Sequence, residues 1–351
     1  MSGMLPPLVD PEALARYLDT ALPDAAGQPL HVERIRGGHS NETFFVTRGD
    51  ARWVLRRPPR GPLLPTAHDV AREYRVLRGL IQTHVPVPRP VLLCEETSVI
   101  GAPFYLMERA EGTVIRETLP PAFAADESAR AGLGYELVDR LAELHAVDYT
   151  AVGLSDLGKP AGYLERQLRR WTGQLDASRN RPLPDLDAVT AWLAAHLPES
   201  PPATIVHGDY RLDNAMFAPE PPARILAIFD WEMATIGDPL ADLGYLLSFW
   251  QEAGDSGVEL GDAAWRITAL PGFPTRAQLV ARYAERTGRQ MGHVAFYVAL
   301  AIWKLAILLE GSYRRHLAGT TDDPFFATLD QGVPSLARRA LAVCHGEIRV
   351  D

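Results

Sequence analysis

The spacing of apolar residues changes at Gly112, and this change constrains the fold more than any other feature of the chain. Before it lie five short segments rich in β-branched and aromatic residues: HVERIR, ETFFVTR, ARWVLRR, PVLLCEE and PFYLMER. Such segments predict β-strands, and the first three, separated by Gly37-Gly38 and Gly49-Asp50, predict an antiparallel meander. A helix is predicted from Asp10-Pro11 to about Thr20, and another in AHDVAREYRVLRGLIQ, between the third and fourth strands.

After Gly112 the apolar residues recur at helical spacing. Helices are predicted at about 126–147, 160–177, 185–197, 239–252, 276–287, 292–315 and 325–345, and the short apolar runs TIVHGD, NAMF and ARILAIFDWE interrupt them. The pattern predicts an α+β fold with a small antiparallel β-rich N-terminal lobe, residues 1–109, and a larger helical C-terminal lobe, residues 110–351, joined by a hinge at about 104–112. A cleft between two such lobes is the expected place for a ligand.

Composition and charge narrow the class of protein. The chain has 351 residues, 47% apolar and 23% charged, which are globular values. Its formal net charge of -9, without a basic run, argues against a nucleic acid or an anionic membrane as the main partner. Cys94 and Cys344 are far apart, which predicts neither a disulfide framework nor a zinc cluster and fits a reducing cytoplasm.

Two segments bear on targeting. The N-terminal residues lack the basic region and the long apolar stretch of a signal peptide. The longest apolar run, Ala295 to Leu309, is interrupted by Lys304 and is shorter than the roughly 20 residues that span a bilayer. It therefore predicts a buried helix.

The motif that carries chemistry is His207-Gly-Asp-Tyr-Arg-Leu-Asp-Asn214, followed by Ile228-Phe-Asp230-Trp-Glu. An H-x-D-x-x-x-x-N loop followed by an apolar strand that ends in Asp is the catalytic-loop and metal-site arrangement of kinases. Phosphoryl transfer needs a carboxylate that orients and deprotonates an alcohol, and oxygen ligands that hold Mg²⁺ against the phosphates. Asp209 is the predicted catalytic base, and Asn214 and Asp230 are the predicted metal ligands.

Two other interpretations of these residues stay open at this point. In one, the polar side chains satisfy the backbone of a capped turn and Asp230 only ends a strand. In the other, His207, Asp209, Asn214 and Asp230 are ligands of a metal-dependent hydrolase. That class usually adds histidines near the site, whereas the other histidines here, such as His145, lie in unrelated segments.

On these motifs the chain resembles the aminoglycoside phosphotransferase and choline kinase-like family, which has a protein-kinase-like fold. The segments LRRPPRGPLLPTAHDVAREYRVLRGL, PVPRPVLLCEE, FYLMERAEG and VHGDYRLDN are most similar to phosphotransferase domains related to those fused to acyl-CoA dehydrogenases. The resemblance extends from about Ile35 to the last helices. It implies ATP and Mg²⁺ as cofactors and a small-molecule hydroxyl acceptor, either a hydroxyacyl or acyl-CoA type metabolite or an aminoglycoside, choline-like alcohol, sugar or homoserine.

The resemblance also assigns roles near the phosphates. Arg211, two residues after Asp209, takes the place of a lysine that touches the γ-phosphate in serine/threonine kinases; the alternative is a surface arginine. The loop Arg36 to Thr43, with Gly38, Ser40 and Asn41, could place backbone amides over the phosphates. A plain hairpin turn would give the same residues.

The third strand departs from the family pattern, because Arg56 stands where the family generally has lysine. Glu73, on the following helix, is its expected acidic partner. An arginine fork can bind the α- and β-phosphates, but the replacement is not neutral. It motivates a second function, a nucleotide-binding regulator without turnover, and a surface strand arginine is the simpler alternative.

The segment Phe104 to Ala110 resembles the hinge that pairs with adenine, through the Glu108 carbonyl and the Ala110 amide, with Met107 behind the base. An ordinary core strand followed by a turn predicts the same residues. His207 is interpreted as scaffold, and Asp238 and Asp242 as capping and anchoring acids. GTP in place of ATP and the oligomeric state stay open. The aromatic residues of the later helices are expected to be core: Trp250, Tyr297, Trp303 and Tyr313.

Overall fold

A computed structural model describes residues 7–35, 41–60, 68–255, 263–320 and 323–350. The chain divides into two compact units. One comprises Met1–Glu111 with Ala227–Glu232, and the other comprises Gly112–Leu226 with Met233–Asp351. The short segment that carries Asp230 therefore groups with the N-terminal unit, although it lies more than a hundred residues further along the chain.

The N-terminal unit is built on one antiparallel sheet of five strands. The strands are β1 (Leu30–Arg34), β2 (Glu42–Arg48), β3 (Ala51–Arg57), β4 (Pro90–Cys94) and β5 (Phe104–Glu108). Their order across the sheet is β1-β2-β3-β5-β4, so the first three form the predicted meander and β5 lies between β3 and β4. Its helices are α1 (Pro11–Ala21), α2 (Val70–Leu80) and α3 (Thr97–Ile100).

Helix α1 begins where its sequence predicts. The Asp10 side chain accepts hydrogen bonds from the backbone N–H groups of Glu12 and Ala13, at 2.9 and 3.2 Å, and Pro11 occupies the first turn. Leu14 and Leu18 of this helix are fully buried. They join a core with the inward side chains of the sheet: Phe44, Val46, Trp53, Leu55, Phe104 and Leu106.

Helix α3 was not predicted; the sequence indicated only the two strands PVLLCEE and PFYLMER in this region. It has four residues and ends at Gly101, which has a left-handed conformation with φ 82°. A helix of about one turn has no apolar repeat to detect in the sequence. Only its C-terminal glycine gave a signal, and that signal is shared with turns.

The C-terminal unit is mainly helical, as predicted. Its helices are α4 (Pro121–Ala125), α5 (Glu127–Ala146), α6 (Tyr163–Ser178), α7 (Pro184–Ala195), α8 (Leu240–Ser248), α9 (Arg276–Thr287), α10 (Val294–Leu317) and α11 (Leu329–Cys344). Helix α10 packs against α6, α7, α8 and α11, and α5 packs against α9. Helix α8 ends four residues before its predicted limit, and the start of the last predicted helix is a 3-10 turn, Pro324–Thr328.

Five short strands connect these helices: β6 (Thr113–Val114), β7 (Thr204–Val206), β8 (Ala215–Phe217), β9 (Ile225–Ile228) and β10 (Thr235–Gly237). The predicted runs gave β7, β8 and β9, whereas β6, β10 and helix α4 were missed because two to five residues carry no periodicity. Strand β7 pairs antiparallel with β10, and the other three form a sheet in the order β6-β8-β9.

Helix α10 contains the apolar run noted in the sequence. With 24 residues it is long and apolar enough to cross a membrane by length and composition, but 72% of its most apolar window is buried inside the protein. Tyr297 and Trp303 are fully buried along it. The arrangement is that of a core helix, as the interruption at Lys304 predicted.

Candidate active site

The loop from His207 to Asn214 connects β7 to β8 and makes its sharpest turn at Gly208. That residue has φ +87°, and a Cβ there would lie 2.8 Å from both the Cβ and the carbonyl oxygen of Met233. Left-handed backbone and the lack of space both require glycine. The sequence therefore places a glycine directly before Asp209 for a steric reason.

The side chain of Asp242, at the start of α8, hydrogen-bonds the backbone of this turn. Its carboxylate accepts the backbone N–H groups of His207 and Gly208, at 2.6 and 2.8 Å. It also contacts His145 Nε2 at 3.3 Å, and His145 Nδ1 lies 2.6 Å from the Tyr283 hydroxyl. Burial lowers the pKa of His145 despite the opposing effect of Asp242, so a neutral ring donates to the carboxylate and accepts from the tyrosine.

The buried side chain of His207 contacts the backbone of the loop. Its ring is completely buried, and Nδ1 accepts a hydrogen bond from the Asp209 N–H at 3.2 Å. The ring also packs edge-on against Tyr210, with 5.7 Å between centroids. These contacts fit the scaffold interpretation of His207.

The Asp209 carboxylate is held by three neighbours. Asn214 Nδ2 donates to Asp209 Oδ2 at 2.7 Å and to the Asp209 carbonyl at 2.8 Å, and Arg211 Nε lies 3.3 Å from Oδ1. The Tyr245 side chain is hydrogen-bonded to the same carboxylate. Burial, reinforced by the negative charge of Asp209, raises the pKa of Tyr245 well above its usual value, so this hydroxyl remains a donor.

Arg211 lies between two carboxylates of its own loop. Its guanidinium is 3.3 Å from Asp209 and 3.0 Å from Asp213, and its centre lies 4.9 Å from the Phe249 ring centroid. Burial raises the pKa of Asp213, and Asp209 adds to the effect while Arg211 opposes it. Arg211 is thus placed beside the predicted base, and 28% of its side chain is exposed.

A second polar cluster lies within the N-terminal unit, centred on Arg56 of β3. Arg56 Nη1 is 3.1 Å from Glu73 on α2, and Nη2 is 3.1 Å from Asp230. Glu73 is almost completely buried, and its burial raises its pKa while Arg56 opposes that shift. Desolvation alone would lower the pKa of Arg56, but the two carboxylates raise it above its ordinary value, so the cation stays charged.

The neighbourhood of Asp230 shows local strain. Asp230 has φ 66°, a left-handed conformation that is uncommon outside glycine and often marks functional positions. Asn41 Nδ2 makes long contacts to Glu73 and Glu232, at 3.5 and 3.4 Å, and its amide oxygen lies 3.2 Å from His68 Nδ1. Asn41, which directly precedes β2, therefore contacts both α2, through Glu73, and the segment that follows Asp230, through Glu232.

The other predicted nucleotide-binding residues lie on or beside β5, or outside the described residues. Met107 is buried and pairs with Val54 of β3. Glu108 ends the strand, with 58% of its side chain exposed, and Ala110 follows in irregular chain. Gly38 and Ser40 lie outside the residues that the structure describes.

Oxygen donors that suit a hard divalent cation occur in both units, Asn214 in one and Asp230 in the other. Because Asn214 Nδ2 donates both of its bonds to Asp209, the amide oxygen is the atom suited to a cation, and Asp230 supplies a partly exposed carboxylate. In the described part of the chain, no group of three or more His, Cys, Asp or Glu side chains could hold a metal. Amide and carboxylate oxygens fit Mg²⁺ rather than a histidine-rich transition-metal centre.

A cavity in the C-terminal unit lies next to the catalytic loop. It has about 330 Å³ of space not filled by atoms, including its opening to solvent. Side chains from α6, α8 and α10 line it together with β7 and Gly208: Tyr163, Gln167, Val206, Ala241, Asp242, Tyr245, Tyr297, Leu300, Ala301 and Lys304. Since Tyr245 is bonded to Asp209, the wall of the cavity includes a direct neighbour of the predicted base.

The family model described as "Phosphotransferase enzyme family" matches residues 31–297, which include both polar clusters. The chain belongs to this family. Among curated proteins it is 35% identical over 339 residues to acyl-CoA dehydrogenase family member 11 of Gallus gallus, covering 95% of this chain and 43% of that protein. It is 35% identical over 309 residues to member 10 of Mus musculus, covering 88% of this chain and 28% of that protein.

This phosphotransferase-family chain therefore spans less than half the length of the curated relatives that it matches. Among solved structures, "Crystal structure of a putative aminoglycoside phosphotransferase" from Ralstonia eutropha JMP134 is 34% identical, with a TM-score of 0.81 over 96% of this chain and 99% of the other. A mutant of aminoglycoside phosphotransferase APH(4)-Ia, solved with AMP-PNP and hygromycin B, is 14% identical with a TM-score of 0.61, covering 94% and 98% of the two chains. The kinase-like fold of this family is thereby established.

Sequence reasoning missed two residues of the site, Tyr245 and Lys304. Tyr245 lies on α8, where the helix prediction gave no reason to single out a hydroxyl. Asp242, on the same helix, was predicted to be an anchoring acid, and it anchors the catalytic loop. Lys304 was noted only as an interruption of an apolar run. The sequence did contain a signal for Lys304, because a charged side chain within an apolar run costs free energy to bury unless a partner or a function compensates.

Proposed function

We propose that this protein is an ATP- and magnesium-dependent phosphotransferase that moves the γ-phosphate to a hydroxyl group of a small molecule. The observation that carries the proposal is the Asp209 carboxylate, held by Asn214 at 2.7 Å and by Tyr245 on the wall of a cavity. A carboxylate held in place beside a cavity can accept the proton of an alcohol that binds there. Family membership supports the same reaction class.

In the proposed reaction, Asp209 orients the acceptor hydroxyl and receives its proton. The hydroxyl oxygen bonds to the γ-phosphorus of ATP, the bond from that phosphorus to the β–γ bridging oxygen breaks, and ADP leaves with the electron pair. Bound Mg²⁺ would neutralise charge on the phosphates, with the Asn214 amide oxygen and the Asp230 carboxylate as its protein ligands. Solvent then takes the proton from Asp209.

Roles for the remaining residues follow from their surroundings. Arg56, kept charged by Glu73 and Asp230, would bind phosphate oxygens through its fork. Arg211, beside Asp209, would contact the transferred phosphate. Gly38, Ser40 and Asn41 would cover the phosphates.

Adenine would lie against the chain segment at the end of β5. There the Glu108 carbonyl and the Ala110 amide would pair with the base, and Met107 would lie behind it. The AMP-PNP complex of the APH(4)-Ia mutant supports an adenine nucleotide as the phosphate donor in this fold.

The acceptor is proposed to be a hydroxyacyl or acyl-CoA type metabolite, because the curated relatives carry acyl-CoA dehydrogenase names. Aminoglycosides and other small alcohols are the competing acceptors. The thiols of Cys94 and Cys344 are free, which is consistent with the expected cytoplasmic location.

The test compares wild-type protein with Asp209→Asn in Mg²⁺ and ATP, following ADP formation over a panel of hydroxyacyl-CoAs, aminoglycosides, sugars and small alcohols. Acceptor-stimulated turnover that is lost in Asp209→Asn, with ATP binding retained, is expected. ATP binding without turnover on any acceptor would contradict the proposal. It would favour the second function, a nucleotide-binding regulator, which Arg56 in place of the usual lysine motivates.

A further inference from the structure

Lys304 stands apart from the other basic residues of the chain. Only two of the 35 basic residues are lysines, Lys159 and Lys304, and even the position of the usual phosphate-binding lysine is occupied by Arg56. Lys159 lies exposed in a loop, whereas Lys304 lies half-buried in the middle of α10. A cation retained on an apolar helix has to be balanced by a partner or a function.

Among the described residues, no carboxylate is paired with Lys304. In the part of the chain that the structure describes, no hydrogen bond or ion pair reaches its ammonium, whose nearest aromatic contact is the Trp171 ring, 5.5 Å away. Desolvation lowers the pKa of Lys304 to about 8; Asp242 and Asp209 oppose this shift, and Arg170 adds to it. An ammonium without a hydrogen-bonded or ion-paired partner among the described residues would be stabilised by an anion.

Lys304 is one of the residues that line the cavity beside the catalytic loop. Lys304, Leu300, Ala301 and Tyr297 are spaced along one face of α10, and all four line the cavity. The only other charged residue lining it is Asp242, whose carboxylate already accepts the His207 and Gly208 amides. Lys304 and Asp242 give the lining a formal charge of zero, and of the two only Lys304 lacks a hydrogen-bonded or ion-paired partner among the described residues.

We propose that the cavity binds an acceptor that carries an anionic group, a carboxylate or a phosphate, and that Lys304 binds this group while the acceptor hydroxyl lies at Asp209. The inference rests on the proposed phosphotransfer and defines the substrate class of the same site. Tyr245 connects the cavity to the predicted base, because it lines the cavity and is hydrogen-bonded to Asp209. A cationic group placed beside Lys304 would be repelled by it and by the nearby Arg170.

The first test measures occupancy of the cavity without turnover. Trace acetylation of the intact protein, read by peptide mass spectrometry, reports Lys304 against Lys159 as an internal standard. The probes are short-chain hydroxycarboxylates, their hydroxyalkyl phosphate analogues, and matched neutral hydroxyamides. Saturating anionic probe should slow labelling of Lys304 roughly tenfold relative to Lys159, and the hydroxyamides should not.

Protection by carboxylates alone or by phosphates alone identifies which anion the cavity takes, and either result supports the proposal. Equal protection by charged and neutral probes, or no protection by any anionic probe, overturns it. Hygromycin B serves as the polycationic probe, and protection of Lys304 by it would also contradict the inference.

The second test separates binding from chemistry. Replacing Lys304 by Gln should raise KM for the anionic acceptor roughly tenfold or more, because a charge-assisted hydrogen bond is lost, and should change KM for the neutral hydroxyamide much less. Lys159→Gln is the matched control, and Lys304→Met is a second variant should the amide disturb packing. An unchanged KM in both Lys304 variants overturns the proposal.

The two proposals fail in different ways. Protection of Lys304 without ADP formation on any acceptor would retain the anion site and remove the phosphotransfer. Turnover of neutral acceptors only, lost in Asp209→Asn and unaffected by Lys304→Gln, would retain the phosphotransfer and remove the anion site.

Discussion

Replacing Asp242 by Asn tests whether one buried carboxylate holds the catalytic loop. The Asp242 oxygens accept from His207 N–H and Gly208 N–H separately, and the first oxygen also contacts His145. An asparagine keeps one oxygen and presents an NH₂ group in place of the other. His145 can adapt by exchanging its tautomer, but in either orientation of the amide one backbone N–H faces a donor.

The expected loss in the free energy of unfolding follows from that one backbone N–H without an acceptor. Losing one hydrogen bond to a charged acceptor costs about 1.5–3 kcal/mol, and leaving a buried donor without a partner adds about 1–3 kcal/mol. We expect Asp242→Asn to lower the free energy of unfolding by roughly 3–5 kcal/mol. Urea unfolding followed by tryptophan fluorescence measures this as a lower midpoint with an unchanged slope.

Asp238 provides a matched control on the same segment. It is as deeply buried as Asp242, and its oxygens accept from the Leu240 N–H at 2.9 Å, the Tyr297 hydroxyl at 2.8 Å and the Ser200 side chain. The amide introduced by Asp238→Asn could keep the first bond and donate to the tyrosine oxygen, since a hydroxyl rotates to suit. This control variant should therefore lose only about 1 kcal/mol. Equal losses in the two variants, or a loss below about 1 kcal/mol in Asp242→Asn, would refute the reasoning.

Three further predictions concern single side chains. Tyr245→Phe removes the hydroxyl that bonds Asp209 and should lower kcat roughly 5- to 30-fold with KM for ATP unchanged, as steady-state kinetics will show. Arg56→Met leaves the buried Glu73 without its cation and should destabilise the protein by about 3–5 kcal/mol in urea unfolding, whereas Arg56→Lys should lose much less. For Lys304, the folded pKa of about 8 lies below its ordinary 10.5, so the unfolded state binds more protons between these values. The stability deficit of wild type relative to Lys304→Met should be largest below about pH 8 and shrink as pH rises towards 10, measured by urea unfolding across that range.

Elements with enough residues to show a repeat could be predicted from the sequence, and shorter ones could not. The five strands of the N-terminal sheet and the long helices of the C-terminal unit were predicted, and capping residues such as Asp10 and Thr275 mark where helices begin. Strands β6 and β10 exist because a neighbouring strand pairs with them, which is information from elsewhere in the chain.

The contacts of the candidate site also divide into local ones, which the sequence predicts, and distant ones, which it does not. Asp209 and Asn214 lie five residues apart in one loop, so their contact follows from local spacing. Asp242 reaches back over 35 residues to His207, and Arg56 reaches 174 residues to Asp230. Such partners are brought together by tertiary packing, and single-sequence periodicity carries no signal for them.

Helix α8 connects the anchoring of the loop to the geometry of the cavity. Asp242 and Tyr245, three residues apart on one face of this helix, hold the loop backbone and the Asp209 carboxylate respectively. Between them, Gly244 lets α8 approach α10 so closely that a Cβ there would lie 2.5 Å from the backbone of Tyr297. Because α10 also carries Lys304, this contact fixes the distance between the predicted base and the unpaired cation. A cavity built on two helices that meet at a glycine can therefore select acceptors by the separation between their hydroxyl and their anionic group.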